Sequence, residues 1–303
     1  PMGYCGRLFL KSRADSFFLG FKIIILLILI CFGRILKKMP SPESMHGTKK
    51  FLMKKDEKVV WITGASSGIG AALAKIYAEK GAKLILSSRR VPDLEKVKYE
   101  CPISENVKIL PIDLNDFDKA AVNVQKAFDF FGTIDVLINN AGVSQRSLIA
   151  DTQFDVFKKL IEIDYLGTVA LSRALLPFFI KQGGGHYVSV SSVMGKYGSP
   201  FRSGYAAAKH ALHGFFDVMR MEHQKDNIYV TMICPGFVKT PIAMNSLGGD
   251  GSVLGVDDLA TRKGMKVEDF AKKMFRAVEQ KKWEVSFGGK ERFGLFIKRL
   301  SNK

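Results

Sequence analysis

A doubly wound α/β fold, one Rossmann-type parallel sheet with helices on both faces, is the architecture this sequence predicts, and three observations predict it. From Lys58 onward, short β-branched runs alternate with amphipathic segments, the pattern that builds parallel sheets through right-handed crossovers. A glycine-rich turn, TGASSGIG (63–70), joins the first of those runs to the first amphipathic segment. The chain has 303 residues, 47% of them hydrophobic, without internal repeats, which suits one large core with extensions.

The elements follow in order. KVVWITG (58–64) reads as a buried strand, AALAKIYAEKG (71–81) as a helix ended by Gly81, KLILSSR (83–89) as a second strand and VKILPIDL (107–114) as a third. After a helix around 116–131, IDVLINNAG (134–142) makes the fourth strand, and a long helix near 154–180 precedes the fifth, GHYVSVSS (185–192). GYAAAKHALHGFF (204–216) is helical and leads to the sixth strand, IYVTMICPG (228–236). Ligands in such sheets bind beyond the carboxyl ends of the strands, and each motif described below falls at one of those ends.

The net charge of +17 belongs to the termini. Residues 1–58 hold 12 Lys/Arg against 4 acids and residues 281–303 hold 7 against 2, so the remaining 222 residues carry only +4. Basic ends set among apolar residues suit an anionic membrane surface, and no nucleic-acid-binding signature accompanies them. The leader 1–16 is basic, and FFLGFKIIILLILICFG (17–33) is the most apolar run, interrupted by Lys22. Its uncharged part is short for a spanning helix of roughly 20 residues. A single anchor, a signal h-region and sequence translated upstream of a start at Met45 or Met53 are the readings it admits, the signal peptide least favoured for want of an A-x-A-like site. A basic linker (34–57) follows, then the domain (58–288) and a basic amphipathic tail (289–303). The chain is expected at a membrane with its catalytic domain facing the cytosol, or in the cytoplasm if residues 1–52 are not part of the mature chain.

Four cysteines and five histidines show no metal-type spacing, so no metal is expected and a reducing compartment is the default. His210 and His213 read as helix-surface residues.

The glycine turn allows close backbone approach, so that helix amides hold a pyrophosphate at the positive end of the dipole. Its spacing is G-x-x-x-G-x-G rather than the usual dinucleotide fingerprint. Together with Asn139-Asn140-Ala141-Gly142 and Tyr205-x-x-x-Lys209, it makes residues 56–288 resemble the short-chain dehydrogenase/reductase family. Within that family VSQRSL, LGTVAL, GKYGSPFRSGYAAAKHALHGFFD and NSLGGDGS are similar to the membrane-associated dehydrogenase/reductase member 7 and 7B group.

The resemblance implies that Tyr205 is the general acid/base, passing a proton to a carbonyl oxygen as hydride arrives from nicotinamide. A phenol with a pKa of about 10 needs help at neutral pH; an ammonium one helical turn away supplies it, and the alanines between let a ribose approach. Lys209 takes that role and holds the ribose, and Ser192 orients the substrate carbonyl. The family's fourth member, an Asn in the long helix that completes a proton relay, is Asp164 here, a departure because a carboxylate has no donor.

For the cofactor the resemblance implies contacts from Gly64, Ser66, Ser67, Gly68, Ile69 and Gly70, from Asp113 to the adenine with Leu114 beside it, from Asn140, Ala141 and Gly142, and from Thr240 and the Val238 backbone to the carboxamide, in a loop that begins Pro235-Gly236 and that Pro235 fixes. Ser88, Arg89 and Arg90 stand where NAD-specific relatives carry an acid, and can bind a 2′-phosphate. NADP(H) is therefore expected, with a small-molecule carbonyl or alcohol substrate of lipid-, steroid- or retinoid-like character. Residues 241–265 are Gly-rich and apolar, as expected of a substrate lid. Family members are commonly homodimers or homotetramers, and Ala211, Leu212, Phe215, Phe216 and Met219 suit either an interface or core. Two rival readings are a non-catalytic NADP(H)-binding sensor or scaffold, motivated by Asp164, and a sugar-nucleotide epimerase, disfavoured by the absence of its T-G-x-x-G-x-x-G turn.

Overall fold

A computed structural model describes residues 58–256, 259–289 and 294. The leader, the apolar segment 17–33, the linker through 57 and, apart from positions 289 and 294, the tail lie outside the described residues.

Seven parallel strands form one sheet among the described residues: β1 (Val59–Thr63), β2 (Lys83–Ser87), β3 (Val107–Ile109), β4 (Val136–Asn139), β5 (Gly185–Val190), β6 (Ile228–Pro235) and β7 (Glu284–Phe287), ordered β3-β2-β1-β4-β5-β6-β7. The order reverses between β1 and β4, which opens a crevice at the carboxyl ends of those strands. Eight helices accompany them: α1 (Gly68–Glu79), α2 (Val91–Tyr99), α3 (Ala120–Asp129), α4 (Phe154–Ile161), α5 (Gly167–Lys181), α6 (Ser203–Glu222), α7 (Leu259–Arg262) and α8 (Val267–Glu279).

The pleat sends alternate residues of each strand to opposite cores. Val60 and Ile62 of β1 join Leu73, Phe270 and Met274 on the face covered by α1 and α8. Val59 and Trp61 join Leu171, Leu175, Phe179 and Phe216 on the other. Each fully buried Leu or Phe contributes about 1.5–3 kcal/mol relative to exposure. Trp61 keeps its indole N–H satisfied by donating to Ser87 Oγ at 2.9 Å. Gly185 is needed where β5 begins, because a Cβ there would enter the Phe179 ring.

Three differences from the sequence expectation have physical causes. The third strand is regular only over Val107–Ile109, since Pro111 has no N–H to donate, although Leu110 and Ile112 still donate to Leu86 and Ser88 of the neighbouring chain segment. The long helix is interrupted by one π turn, Glu162–Leu166, between α4 and α5. The helical run 154–181 is long and apolar enough to cross a membrane, yet Leu160, Leu171, Leu175 and Phe179 are core residues. A seventh strand adds to the six expected. Of the five apolar positions considered for an interface, Leu212, Phe216 and Met219 are buried within the chain.

β7 is tied in by its first residue. Glu284 accepts from Lys196 Nζ at 2.5 Å and lies 3.5 Å from His213 Nδ1. The His213 bond, then Lys196, holds the Glu284 carboxyl down at about 2 from an ordinary 4.5. A depressed carboxyl stabilises the fold above its unfolded pKa, and that contribution is lost as pH falls through the folded value. Wild-type protein is therefore expected to lose thermal stability between pH 4.5 and about 2, and Glu284→Gln to lose less over the same window. Equal losses in a pH series of melting curves would contradict this account of the edge strand.

Candidate active site and cofactor cleft

Thr63, the last residue of β1, organises the crevice. Its Oγ1 donates to Ile138 O and accepts from Asn140 N at 3.1 Å and Ala141 N at 3.2 Å. Asn140 Nδ2 donates back to Thr63 O and Gly64 O, both at 3.1 Å. The ends of β1 and β4 are thereby laced together with little room between them. A Cβ on Gly64, whose φ is +63°, would lie 2.7 Å from Ala141 Cα, and one on Gly70 would strike the Gly64 carbonyl. Ser67 precedes α1 without a side-chain cap, so the first N–H groups of α1 remain directed at the crevice, where a pyrophosphate would accept them.

A cleft of about 340 Å³ runs along these ends. Gly64, Ser66, Ser67, Gly68 and Ile69 line one part, Ser88, Arg89, Arg90, Asp113 and Leu114 another, and Asn140, Ala141, Gly142 and Thr240 a third, with Lys159 and part of the 241–253 segment also in the wall. Arg90 Nη2 donates to Ser66 Oγ at 3.1 Å and Ser67 Oγ at 3.2 Å, while Arg89 Nη1 lies 3.9 Å from Asp113 Oδ2. Two guanidinium groups thus stand in that part of the cleft. Of the expected cofactor residues, Gly70 acts behind the cleft wall by letting α1 close on Gly64. A separate hollow of about 710 Å³ between α3 and α5, lined by Phe117, Ala121, Pro177 and Ile180 among others, meets none of the site residues.

Tyr205 and Lys209 share a face of α6 one turn apart, as the i and i+4 spacing requires, and both are buried. Lys209 Nζ donates to Val190 O at 3.2 Å, lies 3.3 Å from Asp164 Oδ2 and stands 5.6 Å from the centroid of the Tyr205 ring. Asp164 is fully buried in the π turn, and its Oδ1 accepts from Val143 N at 2.7 Å. Oδ1 faces a donor, and Oδ2 has the Lys209 charge beside it but no well-aligned hydrogen bond. Burial pushes the Asp164 carboxyl up, with the Lys209 charge and the Val143 N–H offsetting part of it. Burial also opposes the Lys209 charge, but Asp164 and Tyr205 outweigh it and hold the ammonium above the usual lysine range. Gly142 faces this pair: a Cβ there would sit 3.1 Å from Asp164 Oδ1 and 3.2 Å from Lys209 Nζ.

Ser192 lies two residues past β5, accepting from Met194 N at 3.1 Å and donating to Pro235 O at 3.4 Å. It shares a cavity of about 80 Å³ with Tyr205, Gly236 and Val238. Ser191, its neighbour, points the other way: its Oγ donates to Lys209 O at 3.1 Å and contacts His213 Nε2 at 3.0 Å. His213 is therefore buried inside the molecule rather than on the helix surface, a correction to the sequence reading; a histidine at helical spacing gives no sign of which side it faces. Cys234 Sγ lies 3.8 Å from the same nitrogen, and burial raises its thiol to about 12. His213, Cys234 and Glu284 offer one donor each within 4.8 Å of one another; His213 Nε2 also contacts Ser191 Oγ and Glu284 pairs with Lys196.

The sequence reading missed Gln145 and Arg202. Gln145 is fully buried, and its Oε1 accepts from Gly204 N at 2.8 Å, capping the helix that carries Tyr205. No local signal could reveal a cap supplied from 59 residues away. The Gly-rich segment is not a free loop either. Leu247 N donates to Ser144 O, Arg146 N donates to Leu247 O, both at 2.8 Å, and Ala243, Ser246 and Leu247 are buried.

Comparison with known proteins agrees with this geometry. The family model described as short chain dehydrogenase matches residues 58–249. The mouse dehydrogenase/reductase SDR family member 7B is 42% identical over 232 residues, 75% of this chain and 72% of the relative. The human dehydrogenase/reductase SDR family member 7 is 46% identical over 200 residues, 64% of this chain and 59% of the relative. Among solved structures, an alcohol dehydrogenase from the archaeon Thermococcus sibiricus complexed with 5-hydroxy-NADP matches with a TM-score of 0.66 at 26% identity, over 77% of this chain and 96% of that one. Levodione reductase matches with a TM-score of 0.68 at 26% identity, over 77% and 97%. The chain belongs to the short-chain dehydrogenase family.

Removing one partner of a buried ion pair costs about 3–5 kcal/mol, so Asp164→Ala is expected to lose that much in urea unfolding. Asp164→Asn keeps an acceptor for Val143 N and is expected to lose less. Because the folded pKa of Lys209 is raised, its contribution is full below the unfolded lysine value and is lost as pH rises through the folded one. Asp164→Asn should therefore bring alkaline unfolding to lower pH than in wild type. An unchanged alkaline midpoint would show that the pair is not charged.

Proposed function

We propose that this short-chain dehydrogenase family oxidoreductase is an NADP(H)-dependent carbonyl reductase or alcohol dehydrogenase, with Ser192, Tyr205, Lys209 and Asp164 as its working residues. The observation that carries the reading is the convergence of Tyr205 and Ser192 on one small cavity at the edge of the dinucleotide cleft, with the Lys209–Asp164 pair closed off from water behind the tyrosine. Glycines at 64, 70 and 142 let the backbone and the Lys209–Asp164 pair pack closely along the cleft, which supports the reading of it as a dinucleotide site.

When bound, the dinucleotide supplies or takes up the hydride. Ser192 Oγ accepts from Met194 N and turns its one proton from Pro235 O, 3.4 Å away, to donate to the substrate carbonyl oxygen and fix its direction. Tyr205 donates its phenolic proton to the carbonyl oxygen in reduction and removes it from the alcohol in oxidation. Lys209 places positive charge beside the phenol and stabilises the anionic oxygen left behind. Asp164 takes the place of the family's Asn as the acceptor that anchors that ammonium.

Arg89 and Arg90 support NADP(H) over NAD(H), since guanidiniums suit a phosphate, and their present pairings, Arg90 with Asp93 at 3.0 Å and Arg89 with Asp113 at 3.9 Å, are exposed ones that a phosphate can share. The apolar Val193, Met194, Phe237 and Ile242 around the smaller cavity support a hydrophobic substrate. Homodimer or homotetramer formation, and attachment to a membrane through residues 17–33 and the C-terminal tail with the domain facing the cytosol, belong to the same reading.

NADPH and NADH consumption on a panel of aliphatic, aromatic and steroid ketones tests it. Tyr205→Phe is expected to lose about 10²–10⁴-fold in turnover while still binding NADPH. Arg90→Gln is expected to lose about tenfold of any preference for NADPH over NADH, the equivalent of one charge-assisted hydrogen bond. Full turnover by Tyr205→Phe would overturn the mechanism, and tight NADPH binding with no ketone reduced would favour a non-catalytic sensor.

A further inference from the structure

We propose that His213, Cys234 and Glu284 form a binding site for a divalent transition-metal ion, Zn²⁺ by its ligand set, that clamps β6 and β7 to α6 beside Ser191. None of the three lines the cofactor cleft or the cavity shared by Ser192 and Tyr205, so the ion holds the fold and takes no part in the reaction.

Three elements contribute one ligand each: His213 from α6, Cys234 from β6 and Glu284 from β7. One ligand atom of each lies within 4.8 Å of the others. Ligand atoms of a tetrahedral zinc site, with bonds of about 2.0–2.3 Å, stand roughly 3.3–3.8 Å apart, so closing on an ion takes small side-chain shifts. Imidazole nitrogen, thiolate sulfur and carboxylate oxygen are the donors that zinc takes. The first two ligands are 21 residues apart and the third comes from another strand, so no spacing motif announces them.

The tautomer of His213 is fixed by its neighbours. Ser191 Oγ gives its one proton to Lys209 O at 3.1 Å, so its contact with His213 Nε2 at 3.0 Å requires the imidazole to donate there. Nδ1 of the neutral ring then holds a lone pair. That nitrogen is buried without a well-aligned hydrogen bond, and it faces Glu284 Oε2, another acceptor, at 3.5 Å. Two acceptors so placed need a cation between them. Cys234 Sγ stands beside the same ring, 3.8 Å from Nε2. A hydrogen bond from the second ring nitrogen is how metal-ligating histidines are held, and Ser191 accepts it here. Gly195 makes room for this arrangement: a Cβ there would strike Ser191 Oγ and come within 3.1 Å of His213 Nε2.

Glu284 is exposed at the sheet edge, which gives the ion a way in. Lys196 Nζ pairs with its Oε2 at 2.5 Å. A carboxylate has about four acceptor sites on its two oxygens, so Lys196 stays as the donor that orients a ligating carboxylate. Binding breaks the Cys234 S–H bond, forms the sulfur–metal bond and releases the proton to solvent. The two anionic ligands then match the charge of the ion.

A proton on Nδ1 is the rival; it makes a plain His213–Glu284 ion pair and uses no sulfur. Full-length untagged protein, stripped with a chelator and kept in a non-thiol reductant, is titrated with Co²⁺. One ion per chain is expected, with a thiolate-to-cobalt charge-transfer band and the intense visible bands of tetrahedral coordination, both displaced by Zn²⁺. Cys234→Ser should abolish the charge-transfer band, and a variant with Cys5, Cys31 and Cys101 all changed to Ser should keep it. Glu284→Gln should weaken Co²⁺ binding by roughly tenfold or more, at least the cost of losing an outer-shell partner. Absence of the band, or its survival in Cys234→Ser, overturns the proposal.

Melting curves give a second readout, and Glu284→Gln covers the case in which Cys234→Ser does not fold. Zn²⁺ is expected to raise the wild-type melting temperature by mass action and to leave that of Glu284→Gln nearly where it was. An equal rise in both, or none in wild type, overturns the proposal.

Discussion

The ammonium of Lys209 and the carboxylate of Asp164 stand 3.3 Å apart with both side chains almost wholly removed from water. Such a pair is costly to bury unless its remaining donors and acceptors are met. Val190 O takes a hydrogen bond from Lys209 and Val143 N gives one to Asp164, so β5, the segment after β4, the π turn and α6 must all be in place at once. The π turn is the local accommodation: it sets Asp164 facing inward between α4 and α5, and π turns recur at functional positions in other helices. Gly142 is the other accommodation, since a side chain there would press on the pair. The site and the fold depend on the same contacts.

Around that pair the sheet supplies the rest by the rule that all parallel strands end on one side. Thr63 and Asn140 lace β1 to β4, Ser192 and Pro235 join the ends of β5 and β6, and Gln145 links the loop after β4 to the first turn of α6. The segment around Leu247 closes on that loop through backbone pairing. Its Pro241, Ile242, Asn245, Leu247 and Val253 form an ordered wall of the cleft.

Much of this was legible in the sequence, and the reason differs from element to element. β1, β2, β4, β5 and β6 announce themselves because strands buried on both faces are continuous apolar runs. The glycine turn, Asn140, Tyr205 and Lys209 are legible because their spacing is dictated by backbone approach and helix pitch. β7 was not, since EVSF is short and lies on an edge where its side chains are half-exposed. The π turn has no composition of its own. Gln145, Arg202 and the inward face of His213 depend on contacts between distant segments, and no local pattern encodes those. Asp164 was noticed as a departure from the family, but its direct pairing with Lys209 needed the fold.

The central claim is that Tyr205 and its buried partners pass a proton while hydride moves between a nicotinamide and a carbonyl carbon. Incubating the protein with NADPH deuterated at both C4 positions and a reducible ketone, then analysing the alcohol by mass spectrometry, tests that transfer directly. One deuterium per molecule of alcohol formed is expected, with labelled alcohol accumulating about 10²–10⁴-fold more slowly for Tyr205→Phe. NADPH bound tightly by wild-type protein, with no deuterium reaching any carbonyl compound, would contradict the account.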